Sequence, residues 1–314
     1  MKPIRIASRA SKLALAQTDI VRSSFEKLFP GIETSIVTIS TKGDRDKSDF
    51  LYKSKSVGFF TSEVENAILD GRADLAVHSL KDLPTTAAPE LVIAAIPKRD
   101  SVADALVASE QAASIDDLPA GATVGTSSIR RIAQLRHTRD DLKCVPLRGN
   151  VETRVRKVTT SQVDAVVVAC AGLNRLGLAD KISFCFDPKQ FIPAPAQGAL
   201  AVQIRAEDNK LAELVSQIDD KNSRIAVETE RLVLQAMHGG CSIPLGVYAR
   251  ITGDHLTIDA MIADIDGKNL IKRSSSSLVS QSRDCAQKLA EELLEAGGRE
   301  ILDQIRNSRK DFKC

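Results

Sequence analysis

The sequence has no tryptophan, and aromatic residues fill only 4% of its 314 positions. Proteins that bind single-stranded nucleic acids generally stack the bases on aromatic side chains. The 43 Lys and Arg residues nearly balance the 41 Asp and Glu residues, which leaves a formal net charge of +2. A protein that coats polyanions relies on a large charge of one sign. The composition therefore argues against a nucleic-acid partner and indicates that any anion binding is local.

Long apolar runs are also missing. No stretch of about 18 apolar residues occurs, and no signal-like apolar segment precedes the first predicted strand. We therefore expect a cytoplasmic protein with no membrane partner.

The cysteines show no pairing motif. No Cys-x-x-Cys pair and no Cys/His cluster at zinc spacing is found, so we expect neither a disulfide framework nor a metal site. An isolated cysteine is most often a small buried side chain, and this is the prediction for Cys144, Cys170 and Cys185, on or near apolar strands. The six cysteines are Cys144, Cys170, Cys185, Cys241, Cys285 and Cys314.

A chain of this length with 43% hydrophobic residues is expected to form two or three domains. Short β-rich runs alternate with helical patterns, as in Ile4–Ala7, the helical stretch to Leu28, and Ser35–Ile39. This alternation predicts α/β domains. It restarts after Ser101, and the proline-rich run at 192–195 cannot continue a helix and suits a crossing between domains.

The predicted fold class is α/β, with two α/β domains, a ligand-binding cleft between them, and a smaller α+β domain at the C-terminus. The last domain is predicted from strands separated by turns at Gly253-Asp254 and Asp266-Gly267. The expected boundaries are 1–98 plus 199–217 for domain 1, 99–198 for domain 2, and 218–314 for domain 3.

A polar segment from Thr41 to Ser56 has no apolar periodicity. Its length predicts a functional loop, which we interpret as a lid. After it, Ser62 and Glu65 have the spacing of a capping box at a helix start, and Gly71 is expected to end that helix.

Ser79, Lys81 and Asp82 follow the buried run Leu75–Val77, so they are expected at the end of a strand. A carboxylate there can stabilise a developing cation and exchange protons if the site is poor in water. Position alone favours the alternative, in which Asp82 ends the strand beside the turn at Leu83-Pro84 and pairs with Lys81. The local pattern leaves both interpretations open.

Arginines follow three successive strands at their junctions with helices. The first junction is Gly125-Thr126-Ser127-Ser128-Ile129-Arg130-Arg131, the second carries Arg148 and Arg154, and the third carries Arg175. Helix-start N–H groups, hydroxyls and guanidiniums together favour a carboxylate or phosphate site. The first junction by itself is equally compatible with a serine N-cap and solvated arginines. Because neither nucleotide-binding glycine motif occurs, we expect carboxylates as ligands.

The run Gly239-Gly240-Cys241 is predicted to lie in a turn after a long helix. A thiol made accessible by two glycines can be a nucleophile or an attachment point, although burial is the commoner fate of a lone cysteine. A cysteine hydrolase that uses His238 is disfavoured, because this histidine is three positions away and lacks an orienting group. A non-catalytic, two-lobed anion-binding protein is a further alternative, and it has no need for Cys241.

Taken in order, these motifs resemble the porphobilinogen deaminase family over essentially the whole chain. The matching pieces are Ile6-Ala7-Ser8-Arg9-x-Ser11, Ala73-Asp74-Leu75-Ala76-Val77-His78-Ser79-x-Lys81-Asp82-x-Pro84, Gly125 to Arg131, Leu147-Arg148-Gly149-Asn150-Val151, Ala171-Gly172-Leu173-x-Arg175-Leu176-Gly177, Gln197-Gly198-Ala199, and Gly239-Gly240-Cys241-x-x-Pro244-x-Gly246.

The resemblance implies that the two α/β domains are periplasmic-binding-protein-like, with the active-site cleft between them. It also implies a transferase, expected as a monomer, that adds four porphobilinogen units in turn to a dipyrromethane cofactor. Each addition loses ammonia, and the product released is hydroxymethylbilane. It implies that Cys241 holds this cofactor by a thioether and that Asp82, with Lys81, is catalytic. The implied cofactor-binding residues are Cys241, Ser79, Lys81, Asp82, Thr126, Ser127, Ser128, Arg130, Arg131 and Arg148. The implied substrate-binding residues are Arg9, Ser11, Gln17, Lys53, Phe60, Arg154, Arg175 and Gln197.

The chain departs from the family pattern at two positions. Val57 stands where a lid lysine is usual, which puts the lid contacts in doubt. Ala196 stands where glycine is usual, and we expect it to stiffen the crossing.

Overall fold

The structure is a computed structural model that describes residues 3–41, 61–86, 88–110, 112–237 and 243–311, with side chains to residue 307. The chain divides into two compact units. Among the described residues, unit 1 takes those up to 41, from 61 to 101 and from 197 to 224, and unit 2 takes 102–196 and those from 225 onward. The chain therefore passes between units after Ser101, Ala196 and Arg224.

Unit 1 is a five-stranded mixed sheet with helices. Its strands lie in the order β2-β1-β3-β10-β4, where β1, β2 and β3 are parallel and β10 is antiparallel to both of its neighbours. The strands are β1 (Ile4–Arg9), β2 (Thr34–Ile39), β3 (Leu75–Ser79), β4 (Leu91–Ala95) and β10 (Leu200–Arg205). The described helices are α1 (Lys12–Leu28), α2 (Ser62–Leu69) and α6 (Asn209–Ser216), and α7 (Lys221–Ala236) starts in unit 1 and continues into unit 2.

Unit 2 contains two sheets. The first has the order β7-β6-β8-β5-β9, where β6, β7 and β8 are parallel and β5 is antiparallel to β8 and β9. Its elements are β5 (Asp104–Ala108), β6 (Thr123–Gly125), α3 (Ile129–Thr138), β7 (Lys143–Val145), α4 (Val151–Thr159), β8 (Ala165–Ala169), α5 (Cys170–Arg175) and β9 (Phe184–Cys185).

The second sheet of unit 2 is an antiparallel meander in the order β11-β12-β13. Its elements are β11 (Leu245–Thr252), β12 (His255–Ala263), β13 (Leu270–Leu278), α8 (Ser282–Leu293) and α9 (Arg299–Asp311). Its apolar face packs on α7, α8 and α9, with Val247, Ile258 and Leu289 fully buried.

The two five-stranded sheets are covered on both faces, which explains their continuous apolar strands. In β8, Val166 and Val168 face one hydrophobic cluster, while Ala165 and Val167 face another. A strand buried on both faces cannot show apolar-polar alternation, so its sequence reads as one apolar run.

The two sheets of unit 2 meet through α3. Ala133 on this helix packs with Met261 and Ala263 of β12. Gly267 lies so close to the backbone oxygen of Ala133 that a Cβ at this position would collide with it. The meander sheet therefore packs on α3 through β12 and the turn at Gly267. The boundaries expected for the three domains stay a prediction.

The predicted α/β alternation, the return of the chain to the first sheet through β10, and the smaller C-terminal sheet are confirmed. The capping box is wrong, because α2 begins at Ser62 itself and its N-cap residue is Thr61, with no capping hydrogen bond from the side chain. Gly71 follows the end of α2 with φ of 70°, as expected of a glycine that ends a helix. The elements that no sequence pattern predicted are β4, β9, α6 and α9.

The prediction of burial holds for Cys170, which is 2% exposed, and is wrong for Cys185, which is exposed. Cys185 ends a two-residue strand at the edge of its sheet, where a neighbouring strand covers only one side. Cys144 is half-buried.

The backbone conformation at position 196, where the chain crosses between units, explains why glycine is usual there. Ala196 has φ of 61°, in the left-handed region that favours glycine. The N–H of Ala196 donates to Oε2 of the fully buried Glu230 at 2.6 Å, and the other oxygen accepts from Ala249 N at 2.8 Å. The carboxylate of Glu230 thus helps to hold the unusual backbone in place.

Candidate active site

Polar residues meet at one edge of the sheet in unit 1. Strands β1 and β3 are parallel, so Arg9 and Ser79 end their strands at the same edge. Strand β10 is antiparallel and its Leu200 pairs with Ser79, which brings the preceding segment with Gln197 to that edge. Gln17 of α1 donates from Nε2 to Oγ of Ser79 at 2.8 Å. The sheet topology therefore gathers residues from four separate parts of the sequence.

A short 3₁₀ turn over Leu80–Asp82 follows β3. Leu80 is fully buried, and its N–H donates to the carbonyl oxygen of Ala199 at 3.0 Å. Leu83, which caps the turn, is also buried. Two buried leucines thus fix the backbone that carries Lys81 and Asp82.

The two charged residues of this turn have different surroundings. Lys81 Nζ donates to Oε1 of the fully buried Gln197 at 3.3 Å. Asp82 is exposed, and no salt bridge joins it to Lys81 within the part of the chain that the structure describes. This arrangement argues against the interpretation of Asp82 as the pairing partner of Lys81.

The other unit 1 candidates lie at the start of α1 and beneath it. Ser11 is the N-cap of α1, and its Oγ accepts from Ala14 N at 3.3 Å. His78, which precedes Ser79, is 6% exposed. Burial and the charge on Arg9 lower the pKa of His78 to about 4, while a hydrogen bond with Gln203 acts in the opposite direction. His78 is therefore neutral at physiological pH.

The three arginine-bearing junctions of unit 2 share one edge of their sheet, as the sequence predicts. They follow β6, β7 and β8, which are parallel, so all three lie at the carboxyl ends of strands. Strand β5 is antiparallel to β8 and pairs Asp104 with Ala169, so its first residue reaches this same edge. Asp104 is not among the site residues that the sequence motifs predicted. The available signal was a carboxylate placed directly before an apolar run.

Asp104 binds the two arginines of α3. It is fully buried, and Arg130 and Arg131 are 3% and 6% exposed. Arg130 Nη2 donates to Asp104 Oδ2 at 2.8 Å, and Arg131 donates to Oδ1 from Nη2 at 2.6 Å and from Nε at 3.1 Å. Further donors reach Ile192 O at 2.8 Å and Val167 O at 2.9 Å. We call Asp104, Arg130 and Arg131 the arginine cluster.

The arginine cluster keeps a positive charge inside the protein. Burial lowers the pKa of Arg130, and the charge on Asp104 raises it in partial compensation. A guanidinium stays protonated at any physiological pH. Two guanidiniums and one carboxylate leave one positive charge, which favours an anionic ligand at this edge of the sheet.

The hydroxyls of the first junction serve the local backbone. Ser127 Oγ donates to Leu147 O at 2.9 Å and accepts from Leu147 N at 3.0 Å. Thr126 is fully buried, and its Oγ1 accepts from Ser128 N at 3.3 Å. Ser128 is the N-cap of α3 but makes no capping hydrogen bond with its side chain. The interpretation of this junction as an ordinary serine cap is therefore wrong, because the capping hydrogen bond is not made.

The remaining arginines are half-buried. Arg154 Nε donates to Gly149 O at 2.9 Å, which folds it back on its own junction. Nη2 of Arg148 is buried and has no hydrogen-bond partner among the described residues. A buried donor of this kind fits a ligand oxygen, since burial without one costs free energy. Arg175 ends α5 at the third junction.

Three predicted site residues, Lys53, Phe60 and Cys241, lie outside the described residues, as does the predicted lid apart from Thr41.

Comparisons with known proteins agree across nearly the full chain. Residues 4–213 match the family model described as "Porphobilinogen deaminase, dipyromethane cofactor binding domain", and residues 224–295 match "Porphobilinogen deaminase, C-terminal domain". The porphobilinogen deaminase of Maridesulfovibrio salexigens is 43% identical over 97% of this chain and 99% of that protein. That of Syntrophobacter fumaroxidans is 40% identical over 96% of this chain and 97% of that protein.

The chain belongs to the porphobilinogen deaminase family. The family resemblance inferred from the sequence motifs is thereby confirmed, and so is the dipyrromethane cofactor. The family name denotes an enzyme, so the prediction that this protein is an enzyme is supported. Both sheet edges described above lie within residues 4–213, the part of the chain that matches the cofactor-binding domain of porphobilinogen deaminase.

Solved structures give weaker matches. A second substrate-binding domain of a putative amino acid ABC transporter from Streptococcus pneumoniae is 14% identical, with a TM-score of 0.43, over 75% of this chain and 94% of that one. A putative periplasmic sulfonate-binding protein from Methylobacillus flagellatus is 17% identical, with a TM-score of 0.40, over 75% of this chain and 69% of that one. These TM-scores are too low to support a statement about function. Among the described residues, no helix is both long and apolar enough to cross a membrane.

Proposed function

We propose that this protein is a monomeric cytoplasmic transferase that condenses four porphobilinogen units head to tail on a dipyrromethane cofactor and releases hydroxymethylbilane. The observation that carries the proposal is the match of residues 4–213 to the cofactor-binding domain of porphobilinogen deaminase. The cofactor, held by a thioether at Cys241, supplies the pyrrole carbon to which the first substrate is joined.

The described residues fit a cofactor rich in carboxylates. The arginine cluster keeps one positive charge after Asp104 is counted, and Arg148 has a buried Nη2 without a partner in the described part of the chain. Guanidiniums bind carboxylates through paired hydrogen bonds, which makes them suitable for acetate and propionate groups. In this proposal Arg130, Arg131 and Arg148 bind the cofactor together with Thr126, Ser127 and Ser128.

Asp82 is the proposed catalytic carboxylate. Its fixed 3₁₀ turn holds it at the edge of the sheet, where its negative charge can bind pyrrole N–H groups and stabilise positive charge as ammonia leaves. Lys81 is held by Gln197, and Ser79 by Gln17. The residues proposed to bind the substrate units are Arg9, Ser11, Gln17, Lys53, Phe60, Arg154, Arg175 and Gln197.

The experiment that tests the proposal is the intact mass of the purified active protein. We expect a mass above that of the sequence by one dipyrromethane, and a peptide containing Cys241 that carries this addition. Cys241→Ser should lack the addition and the activity, while Cys144→Ser, which changes a half-buried thiol, should keep both. An unmodified chain that still consumes porphobilinogen would refute the attachment at Cys241.

A further inference from the structure

Two cysteines of unit 2 lie in contact although they are 15 residues apart in the sequence. Cys170 Sγ and Cys185 Sγ are separated by 3.0 Å. The S–S distance in a disulfide is about 2.05 Å, so the two sulfurs are about 1 Å further apart than in a disulfide. The spacing of the cysteines in the sequence did not predict this pair.

The backbone holds both cysteines beside the same strand. Cys170 N donates to Ala103 O at 3.0 Å, and Cys185 is paired with Ala105 of β5. The next residue, Phe186, donates from its N–H to Asp104 O at 2.9 Å. Strand β5 therefore fixes the backbone of both cysteines, one on each of its sides.

The two thiols differ in their access to solvent. Cys185 is exposed on the edge strand β9, whereas Cys170 is 2% exposed at the start of α5. An external oxidant can reach Cys185 directly, while Cys170 is shielded. An exposed thiol with a second thiol in contact is the arrangement in which a first adduct is resolved into a disulfide.

We propose that Cys170 and Cys185 form a reversible oxidation site that reacts with low-molecular-weight disulfides. The Cys185 thiolate attacks one sulfur of the small disulfide, whose S–S bond breaks and releases one thiolate. The Cys170 thiolate then attacks the Cys185 sulfur and displaces the second small thiolate. Two electrons pass from the cysteines to the small disulfide, and the two thiol protons end on the two small thiols.

This site is independent of the proposed function. Neither cysteine belongs to the proposed cofactor or substrate residues, and the chemistry needs only thiols and a disulfide. The cross-link would join the edge strand β9 to the start of α5, on either side of the β5 segment that contains Asp104.

The test uses the full-length protein treated with oxidised glutathione, unfolded, alkylated and digested. In the wild type we expect the Cys170 and Cys185 peptides to be joined, to lose their alkylation together, and to regain it after reduction. Cys144→Ser should behave in the same way, because that half-buried thiol lies outside the pair. Cys185→Ser should lose the cross-link.

Cys170→Ala separates the two steps and provides a second variant. Without the second thiol, Cys185 should retain a stable glutathione adduct that the wild type does not accumulate. A wild-type protein that keeps the adduct on Cys185 while Cys170 remains alkylated would overturn the proposal. Equal reaction of Cys170 with glutathione in Cys185→Ser would also overturn the role of Cys185 as the first thiol.

Discussion

The edge of the unit 1 sheet and the edge of the first unit 2 sheet are built on one plan but carry different charges. In each, parallel strands end in polar or basic residues, and an antiparallel strand brings one more residue to the same edge. In unit 1 this added residue is the neutral Gln197, which binds Lys81. In unit 2 it is the anionic Asp104, which binds Arg130 and Arg131.

In both cases the antiparallel strand is the first strand after the chain crosses from the other unit. The chain crosses after Ser101 and enters β5 at Asp104, and it crosses after Ala196 and enters β10 at Leu200. Gln197 leaves the charge of Lys81 unchanged, and Asp82 beside it stays exposed. Asp104 instead compensates one of two buried charges. Under the proposed function, the edge in unit 1 would carry the chemistry and the edge in unit 2 would hold the bound carboxylates, and the following predictions test this assignment.

Asp82→Asn tests the reactive role of the edge in unit 1. The substitution removes the negative charge proposed to stabilise cationic intermediates, so we expect kcat to fall by about 10²- to 10⁴-fold. Because the side chain is exposed, the unfolding free energy should change by less than about 0.5 kcal/mol. Steady-state assays with porphobilinogen and denaturant unfolding measure the two effects. Glu90→Gln, which removes an exposed carboxylate elsewhere in unit 1, should change neither. A rate for Asp82→Asn close to that of Glu90→Gln would restore the structural interpretation of Asp82.

Asp104→Asn tests the fixed binding edge in unit 2. Removing the charge leaves two buried guanidiniums without their counter-ion, so the unfolding free energy should fall by about 3–5 kcal/mol. Guanidinium chloride unfolding followed by circular dichroism measures the loss. The matched control is Asp70→Asn, in an exposed pair with Arg72, which should cost less than about 1 kcal/mol. Equal losses in the two variants would contradict the buried role of Asp104.

His78 should make unit 1 sensitive to acid. Its pKa is about 4 in the folded protein against an ordinary value of about 6.5 for histidine, so the unfolded state binds more protons between these values. The contribution of neutral His78 to the unfolding free energy is therefore fully present above about pH 6.5. It is lost as the pH falls towards 4, by at most about 3 kcal/mol. Urea midpoints across this pH range should fall less steeply for His78→Gln than for the wild type. His255→Gln, which changes an exposed histidine, should follow the wild type, and parallel profiles for all three proteins would argue against the assignment.

Much of the fold could be predicted from local patterns. The β-rich runs, the amphipathic helices and the glycine after α2 are signals that span a few residues, and the corresponding elements are found within a few positions of their predicted bounds. The two-residue strand β9 was missed because so short a strand leaves no periodicity. The capping box at Ser62 was wrong because the helix begins one residue earlier than that motif requires.

The site could be predicted only in part. The three arginine junctions were correctly expected at one edge of a sheet, because the carboxyl ends of parallel strands always meet there. The partners of these residues were not predictable, since Asp104 and Arg130 are 26 positions apart and Lys81 and Gln197 are 116 apart. The catalytic and binding roles of the named residues stay predictions.

The sequence by itself determined the family, the α/β alternation and the candidate residues that follow each strand. Only the tertiary structure decided which charges are compensated and which thiols touch. The physical reason is that β5 and β10 enter their sheets antiparallel to the neighbouring strands, and this pairing is set by long-range hydrogen bonds that no local pattern encodes. The pairing of β5 placed Asp104 among buried arginines and brought Cys170 to Cys185.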